Sequence, residues 1–157
     1  MLAEAENERM HLMFFIEIAK PNFFERIIVL CAQVIFGLFY LFMYVFFTRT
    51  AHRMIGYFED EAVKSYTDFL EQVNKGNIIN IKAPKLAIEY YGLHQNARLS
   101  DLIRCVRADE MHHSDVNHAY ADSLERNVLN DEKKINKNKE VAWGYLFLKL
   151  ILFQAPQ

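Results

Sequence analysis

Along the stretch from Leu99 to Asn117, one helix face collects Leu99, Leu102, Ile103, Val106, Glu110, His113 and Asn117. An apolar stripe at helical spacing that turns into a carboxylate and an imidazole constrains the fold more than any other feature of the chain. A buried charge is costly unless it is paired or bound to a metal. Residues three apart share a helix face, so Glu110 and His113 can hold one ion between them. Asp109 and His112 have the same spacing, but His112 falls on the far side of the wheel. Asp109 lies at the edge of the stripe, where it can accept a hydrogen bond from a ligand histidine. His118 lies off the stripe and reads as solvated.

The pair recurs. Residues 2 to 19 read as a helix with Met1, Ala5, Glu8, His11, Leu12, Phe15 and Ala19 on one stripe, so Glu8-x-x-His11 also sits among positions expected to be buried. Pro21 ends this helix or begins the next. Residues 49 to 75 form a further helix, stopped by Asn74-Lys75-Gly76. Its stripe is His52, Ile55, Glu59, Ala62, Val63, Tyr66, Leu70 and Val73, with Glu59 at the centre and Asp60 and Glu61 pointing elsewhere. Periodicity alone leaves Tyr66 either a core tyrosine with its hydroxyl satisfied or a partner of a metal site. Two Glu-x-x-His helices combined with other Glu-bearing helices are the ligand pattern of di-iron carboxylate bundles. The predicted fold class is therefore all-α, a di-iron helical bundle.

Between these helices, residues 22 to 47 read as a helix of a different kind. From Ile27 to Phe47 there are 21 residues without a charge and with one amide, Gln33. By length this segment can span a bilayer, lie in one leaflet with one face on the protein, or form a buried bundle helix. The ligand helices on both sides must stay beside it, which favours the interfacial arrangement. The 13 Phe and 8 Tyr, against 5 Gly and 3 Pro, point the same way, to more apolar surface than one small core uses. A formal net charge of -2 excludes an electrostatic nucleic-acid binder. Cys31 and Cys105 fall inside apolar patterns and read as two buried thiols.

Residues 76 to 98 read as a connector, with a short turn or helix from Lys85 to Tyr91 opened by Pro84 and ended by Gly92. His94 reads as a surface residue there. The helix from 99 to about 127 is expected to be capped by Ser100 or its neighbour. Residues 1 to 127 are expected to form the bundle domain. The remainder, 128 to 157, divides into a polar Asn- and Lys-rich linker to Glu140 and an apolar tail, Val141 to Phe153, too short to span a membrane. The acidic N-terminus, Met1 to Glu8, has the character of neither a signal nor a transit peptide. It starts inside a helical pattern with no cap ahead of it, as a fragment does.

Three stretches carry a family resemblance. Glu6-Asn7-Glu8-Arg9-Met10-His11-Leu12-Met13 with Ala19-Lys20-Pro21 resembles the second ligand motif of the alternative oxidases. Ala51-His52-Arg53-Met54-Ile55-Gly56-Tyr57-Phe58-Glu59-Asp60-Glu61-Ala62 with Ser65-Tyr66-Thr67 resembles their third, and Arg107 to His113 with Asp115-Val116-Asn117-His118 their fourth. The resemblance runs from about residue 2 to residue 122. It implies a ferritin-like bundle lying in one leaflet of the mitochondrial inner membrane as a homodimer. The implied activity is oxidation of ubiquinol by O2, with reduction to water at two iron ions, resistance to cyanide and no proton pumping. By the same resemblance Glu8, His11, Glu59, Glu110 and His113 would be iron ligands. Tyr66 would be the redox-active tyrosine, and Asn7, His52 and Asp109 would support the ligands. Glu61, Ala62 and Ser65 match positions lining the quinone pocket. Phe58 stands where the family usually has Leu, and Ser65 where it usually has Thr.

The resemblance also implies a deficit. The family's site has four carboxylates and two histidines, and this chain offers three and two. The first Glu, from a helix expected to precede residue 1, is absent, and so are an Arg and a Leu of the quinone pocket. The bundle is expected to be incomplete and open on one side. Two other readings stay open at this point: a non-catalytic, membrane-associated remnant of the family, and another di-iron enzyme such as a hydroxylase or desaturase.

Overall fold

The computed structural model describes residues 2–153, with side chains for 3–139. Five helices follow one another: α1 (Leu2–Ala19), α2 (Phe23–Phe46), α3 (Thr48–Asn74), α4 (Lys85–Tyr91) and α5 (Leu99–Phe153). Among the described residues the only extended pairing is one isolated antiparallel bridge, Lys82 with Arg98. The chain is all-α.

Local chemistry sets the boundaries. Lys20 takes a left-handed φ of 47° and Pro21 follows, which stops α1. Asn22 then caps α2: its side chain accepts from the Glu25 amide at 3.1 Å while the Glu25 carboxylate accepts from the Asn22 amide at 2.7 Å. Phe47, at φ -139° and ψ 51°, breaks the chain between α2 and α3. Gly76 and Gly92, both at positive φ, follow α3 and α4. The start of α5 departs from expectation. Ser100 lies inside the helix, the amide of Arg98 is held by the Asp101 carboxylate at 2.9 Å, and the Ser100 amide is held by Asn80 at 3.0 Å.

The most extensive packing is α3 against α5, and α1 and α4 close over one end of it. One core cluster joins Met10, Phe14, Ala83, Ala87, Ile88, Ala97, Leu102 and Val106; a second joins Leu70, Leu99 and Ile103. Phe15, Ile18 and Tyr66 touch both. The face predicted for α5 is the face found, since Leu102, Ile103, Val106, Glu110, His113 and Asn117 are all buried; the stripe of α3 is buried at His52, Leu70 and Val73 and half-buried between them.

Four readings need correction. The face of α1 is rotated: Met10, His11 and Phe14 are buried, whereas Ala5, Leu12 and Ala19 are exposed. The cause is that α1 packs on α4 and α5 with the Met10 side and leaves the Glu8–Leu12 side facing an opening towards α2. Second, α2 has no buried residue, so this chain does not form it as a buried bundle helix, and Cys31 is exposed; Cys105 is only half-buried. Third, α5 continues as helix through 128–140, where a linker is expected. No Gly or Pro lies between Leu99 and Trp143, and Lys and Glu are good helix formers, so nothing in the sequence stops it. From Arg126 to Lys139 every residue is exposed. Finally, His118 is not freely solvated, as its contacts below describe. The side chains of 140–157, including the apolar tail, and Met1 lie outside the described residues.

Candidate metal centre

Helical spacing brings the charged positions of three helices to one point. Glu8 on α1, Glu59 on α3, and Glu110 and His113 on α5 each offer a ligand atom, all within 4.8 Å of one another. His11 joins them: its Nδ1 lies 3.4 Å from Glu110 Oε1 and 3.6 Å from Glu8 Oε1. His113 Nδ1 approaches Glu8 Oε1 at 2.9 Å without hydrogen-bond alignment. Both Nδ1 atoms are buried and have no hydrogen-bond partner. A buried imidazole nitrogen without a partner is costly, and two of them aimed at three carboxylates form a donor set for a metal. The residues present therefore fit iron, which takes carboxylate oxygen and imidazole nitrogen together.

The electrostatics without a metal fit the same reading. Burial raises the Glu59 carboxyl, the Glu110 carboxyl beside it adds to the rise, and Glu59 stays protonated well above the usual carboxylate range. Burial also opposes ionisation of Glu8, but His11 and His113 outweigh it and lower its carboxyl to about 2. Burial disfavours the charged form of His11, but Glu110, Glu8 and Asp109 outweigh it and raise the imidazole to about 10. The Glu8 carboxylate likewise raises His113. Protons hold the cluster together in the place of cations.

The candidate ligands are held from behind. Asp109 Oδ2 accepts from Asn7 Nδ2 at 2.9 Å and pairs with His11 Nε2 at 3.1 Å. Tyr91 on α4 adds a phenol, 2.5 Å from Asp109 Oδ2 and 2.9 Å from His11 Nε2. His52 is buried but acts at one remove: its Nδ1 contacts Asn117 Oδ1 at 2.9 Å, and Asn117 Nδ2 donates to the His113 carbonyl at 3.0 Å. On the other flank of α3, Asp60 accepts from Ser114 Oγ at 2.5 Å and contacts His118 Nε2 at 3.1 Å. Arg53 reaches His118 Nδ1 at 2.9 Å. Spacing along single helices places Asn117 on the stripe with Glu110 and His113 but gives it no role, and it does not single out Tyr91 or Ser114. The one sequence signal for Tyr91 is its place three and four residues after the apolar pair Ala87 and Ile88 on a short helix.

Tyr66 stacks on Phe15, with ring centroids 6.0 Å apart. It lines an open pocket of about 520 Å³ with Ala5, Glu8, Arg9, His11, Leu12, Phe15 and Gln33. Burial, then the charges of Glu110, Glu8 and Glu59, raises its phenol, so it keeps its proton. The residues matched to the quinone pocket lie elsewhere on α3. Glu61 is exposed and pairs with Lys64 at 2.6 Å, Ser65 is exposed with its hydroxyl on the Glu61 carbonyl at 2.9 Å, and Ala62 is half-buried. None of the three is among the residues that line the opening beside Tyr66. Glu8 keeps 46% of its side chain exposed on that side.

Comparison with known proteins bears on the same residues. The family model described as alternative oxidase matches residues 1–122. The chain is 51% identical over 122 residues to ubiquinol oxidase 1c, mitochondrial, of Arabidopsis thaliana, covering 78% of this chain and 37% of that protein. It is 52% identical over 118 residues to ubiquinol oxidase 2, mitochondrial, of Nicotiana tabacum, covering 75% and 40%. Against the mitochondrial ubiquinol oxidase of Batrachochytrium dendrobatidis it is 48% identical over 124 residues, covering 79% and 39%. The chain thus spans about two fifths of the length of these relatives. The matched region takes in Glu8, His11, Glu59, Glu110 and His113, and on that match the chain belongs to the alternative oxidase family.

Proposed function

We propose that these helices are the part of a mitochondrial ubiquinol oxidase that carries five of the ligands for two iron ions. The supporting observation is the convergence of Glu8, Glu59, Glu110 and His113 within 4.8 Å, beside the unpartnered Nδ1 atoms of His11 and His113. Bound there, a di-iron centre supplies the redox chemistry that takes electrons from ubiquinol and passes them to O2, without pumping protons. The chain's own part is to hold and to orient. Glu59, His11 and His113 give up protons, and Glu8, Glu59 and Glu110 present their oxygens to the ions. His11 is steadied by Asp109 and Asn7, and His113 by Asn117, which His52 holds in turn. Tyr66 keeps its phenolic proton at the mouth of the pocket, within reach of a quinol and of the ligand carboxylates, and is the residue we assign to electron transfer. Glu61, Ala62 and Ser65 are proposed to meet the quinol along the outer side of α3.

The exposed apolar length of α2 is the surface we assign to one leaflet of the inner membrane, in a homodimer. Because the chain spans about two fifths of its relatives, the oxidase reaction is proposed for the whole enzyme to which these helices belong. The test joins this chain to the N-terminal part of a relative. Ubiquinol-dependent, cyanide-resistant oxygen uptake is expected, and its absence from a folded, iron-loaded protein overturns the assignment. The partial exposure of Glu8 favours a second reading for the chain by itself, a weak metal binder without turnover. Iron content of the chain alone decides between them: two tightly held irons per chain remove that reading.

A further inference from the structure

We propose that Tyr91 is a positioning residue for the metal centre: its phenol, delivered by α4 from the connector, locks His11 in the orientation that turns Nδ1 towards the ligand carboxylates. The count of protons around His11 Nε2 fixes which atom carries a hydrogen. Tyr91 Oη and Asp109 Oδ2 are 2.5 Å apart, so the phenolic hydrogen lies between them. That hydrogen is not available to His11 Nε2, which lies 2.9 Å from Oη and 3.1 Å from Oδ2. Asn7 Nδ2 donates to the same Oδ2 at 2.9 Å and gives His11 nothing to accept. Nε2 therefore faces two acceptors and must carry a hydrogen, shared between the phenol oxygen and the carboxylate. With Nε2 so held, the proton that a metal would displace, and the lone pair it would meet, are on Nδ1, the atom that is buried beside Glu110 and Glu8 without a hydrogen-bond partner.

The connector is built to deliver this group. Pro84 opens α4, Gly92 closes it at a φ of 63°, and the Ala83 and Leu99 amides tie its ends through the carbonyls of Ala97 and Ile81 at 2.9 and 2.8 Å. Phe14 and Tyr90 pack on the Tyr91 ring at centroid distances of 5.7 and 4.9 Å, so the ring has a fixed place before any hydrogen bond forms. Tyr91→Phe removes the hydroxyl and keeps that packing.

The proposal rests on the metal-site reading, and its test separates the two. In the whole chain held in detergent, the His11 Nε2 proton is expected as a downfield, slowly exchanging NMR signal, with or without zinc as a diamagnetic stand-in for iron. In Tyr91→Phe that signal is expected to move upfield and exchange faster, and zinc affinity to fall by roughly tenfold or more, the range for lost support of a ligand. Circular dichroism at matched temperature checks that the variant is folded. An unchanged Nε2 signal overturns the proposal whether or not metal binds. A moved signal with unchanged zinc affinity overturns it as well. Failure of the unsubstituted chain to bind zinc or iron overturns the metal-site reading itself and takes the positioning role with it, leaving only the hydrogen-bond geometry.

Discussion

At the scale of single residues, the site has an uneven distribution of protons that a metal would redistribute. Glu110 is buried at 4% exposure and lies 3.4 Å from His11 Nδ1. Glu110→Ala removes one carboxylate from the cluster and takes away the oxygen beside His11 Nδ1. Loss of bound iron is expected, read as metal per chain after desalting; full occupancy in the variant refutes its role as a ligand. The titrations make a second prediction. His11 is raised from 6.5 to about 10, so its contribution to stability is complete below about pH 6.5 and is lost as pH rises through about 10. Glu59 is raised from 4.5, so its contribution is complete below about pH 4.5 and is lost on the way up to its raised value. Glu8, lowered to about 2, acts in the opposite sense: its contribution is present above about pH 4.5 and is lost as pH falls through about 2. The metal-free protein is therefore expected to melt at falling temperatures from about pH 5 to about pH 10. Metal binding displaces those protons, so the loaded protein gains over the metal-free one as pH rises. Parallel melting curves with and without zinc contradict this.

At the scale of helices, α3 and α5 are registered by a contact that excludes a methyl group. A Cβ at Gly56 meets the His118 ring at 2.8 to 2.9 Å, and that ring is held by Arg53 and Asp60. Gly56→Ala forces the ring or the helices apart and is expected to cost about 1–3 kcal/mol, the range for overpacking, measured by thermal melting. A variant as stable as the original shows that His118 moves freely. The exposed helix α2 leads to a prediction of another kind. Ile35 and Phe42 are 70% and 53% exposed, and the ring contacts of Phe42 are with Phe46 and Phe47 at the end of α2, so replacing both by Lys leaves the buried core untouched. The double variant is expected to keep its helix content and to lose flotation with zwitterionic lipid vesicles, where the added charges gain no attraction from the headgroups. Undiminished flotation removes α2 as the membrane face.

Across the whole molecule, what could be read in the sequence was what each helix decides by itself. The stripe of α5 was legible because Glu110 and His113 interrupt an otherwise apolar period, and His112 was set aside by the same wheel; it is exposed. The stripe of α3 was legible for the same reason. The face of α1 was not, because its Glu8 side borders an opening and its buried side is chosen by α4, a partner that no single-helix period names. Tyr91 and Ser114 are not legible in the sequence because their roles are hydrogen bonds across 18 and 54 residues of chain; Asn117 is legible as part of the α5 stripe, but its link to His52 spans 65. The run through 128–140 was misread because polarity was taken for a break, although no breaker is present. A helix of 24 residues with nothing buried has one more consequence. Each large side chain fully withdrawn from water contributes on the order of 1.5–3 kcal/mol, and within this protein α2 withdraws none fully, Tyr40 and Met43 being half-buried. Lipid or detergent then enters the folding equilibrium as a ligand does, and stability becomes a function of its concentration. A melting temperature for this chain accordingly has meaning only at a stated amount of amphiphile, and should climb as amphiphile is added until α2 is covered.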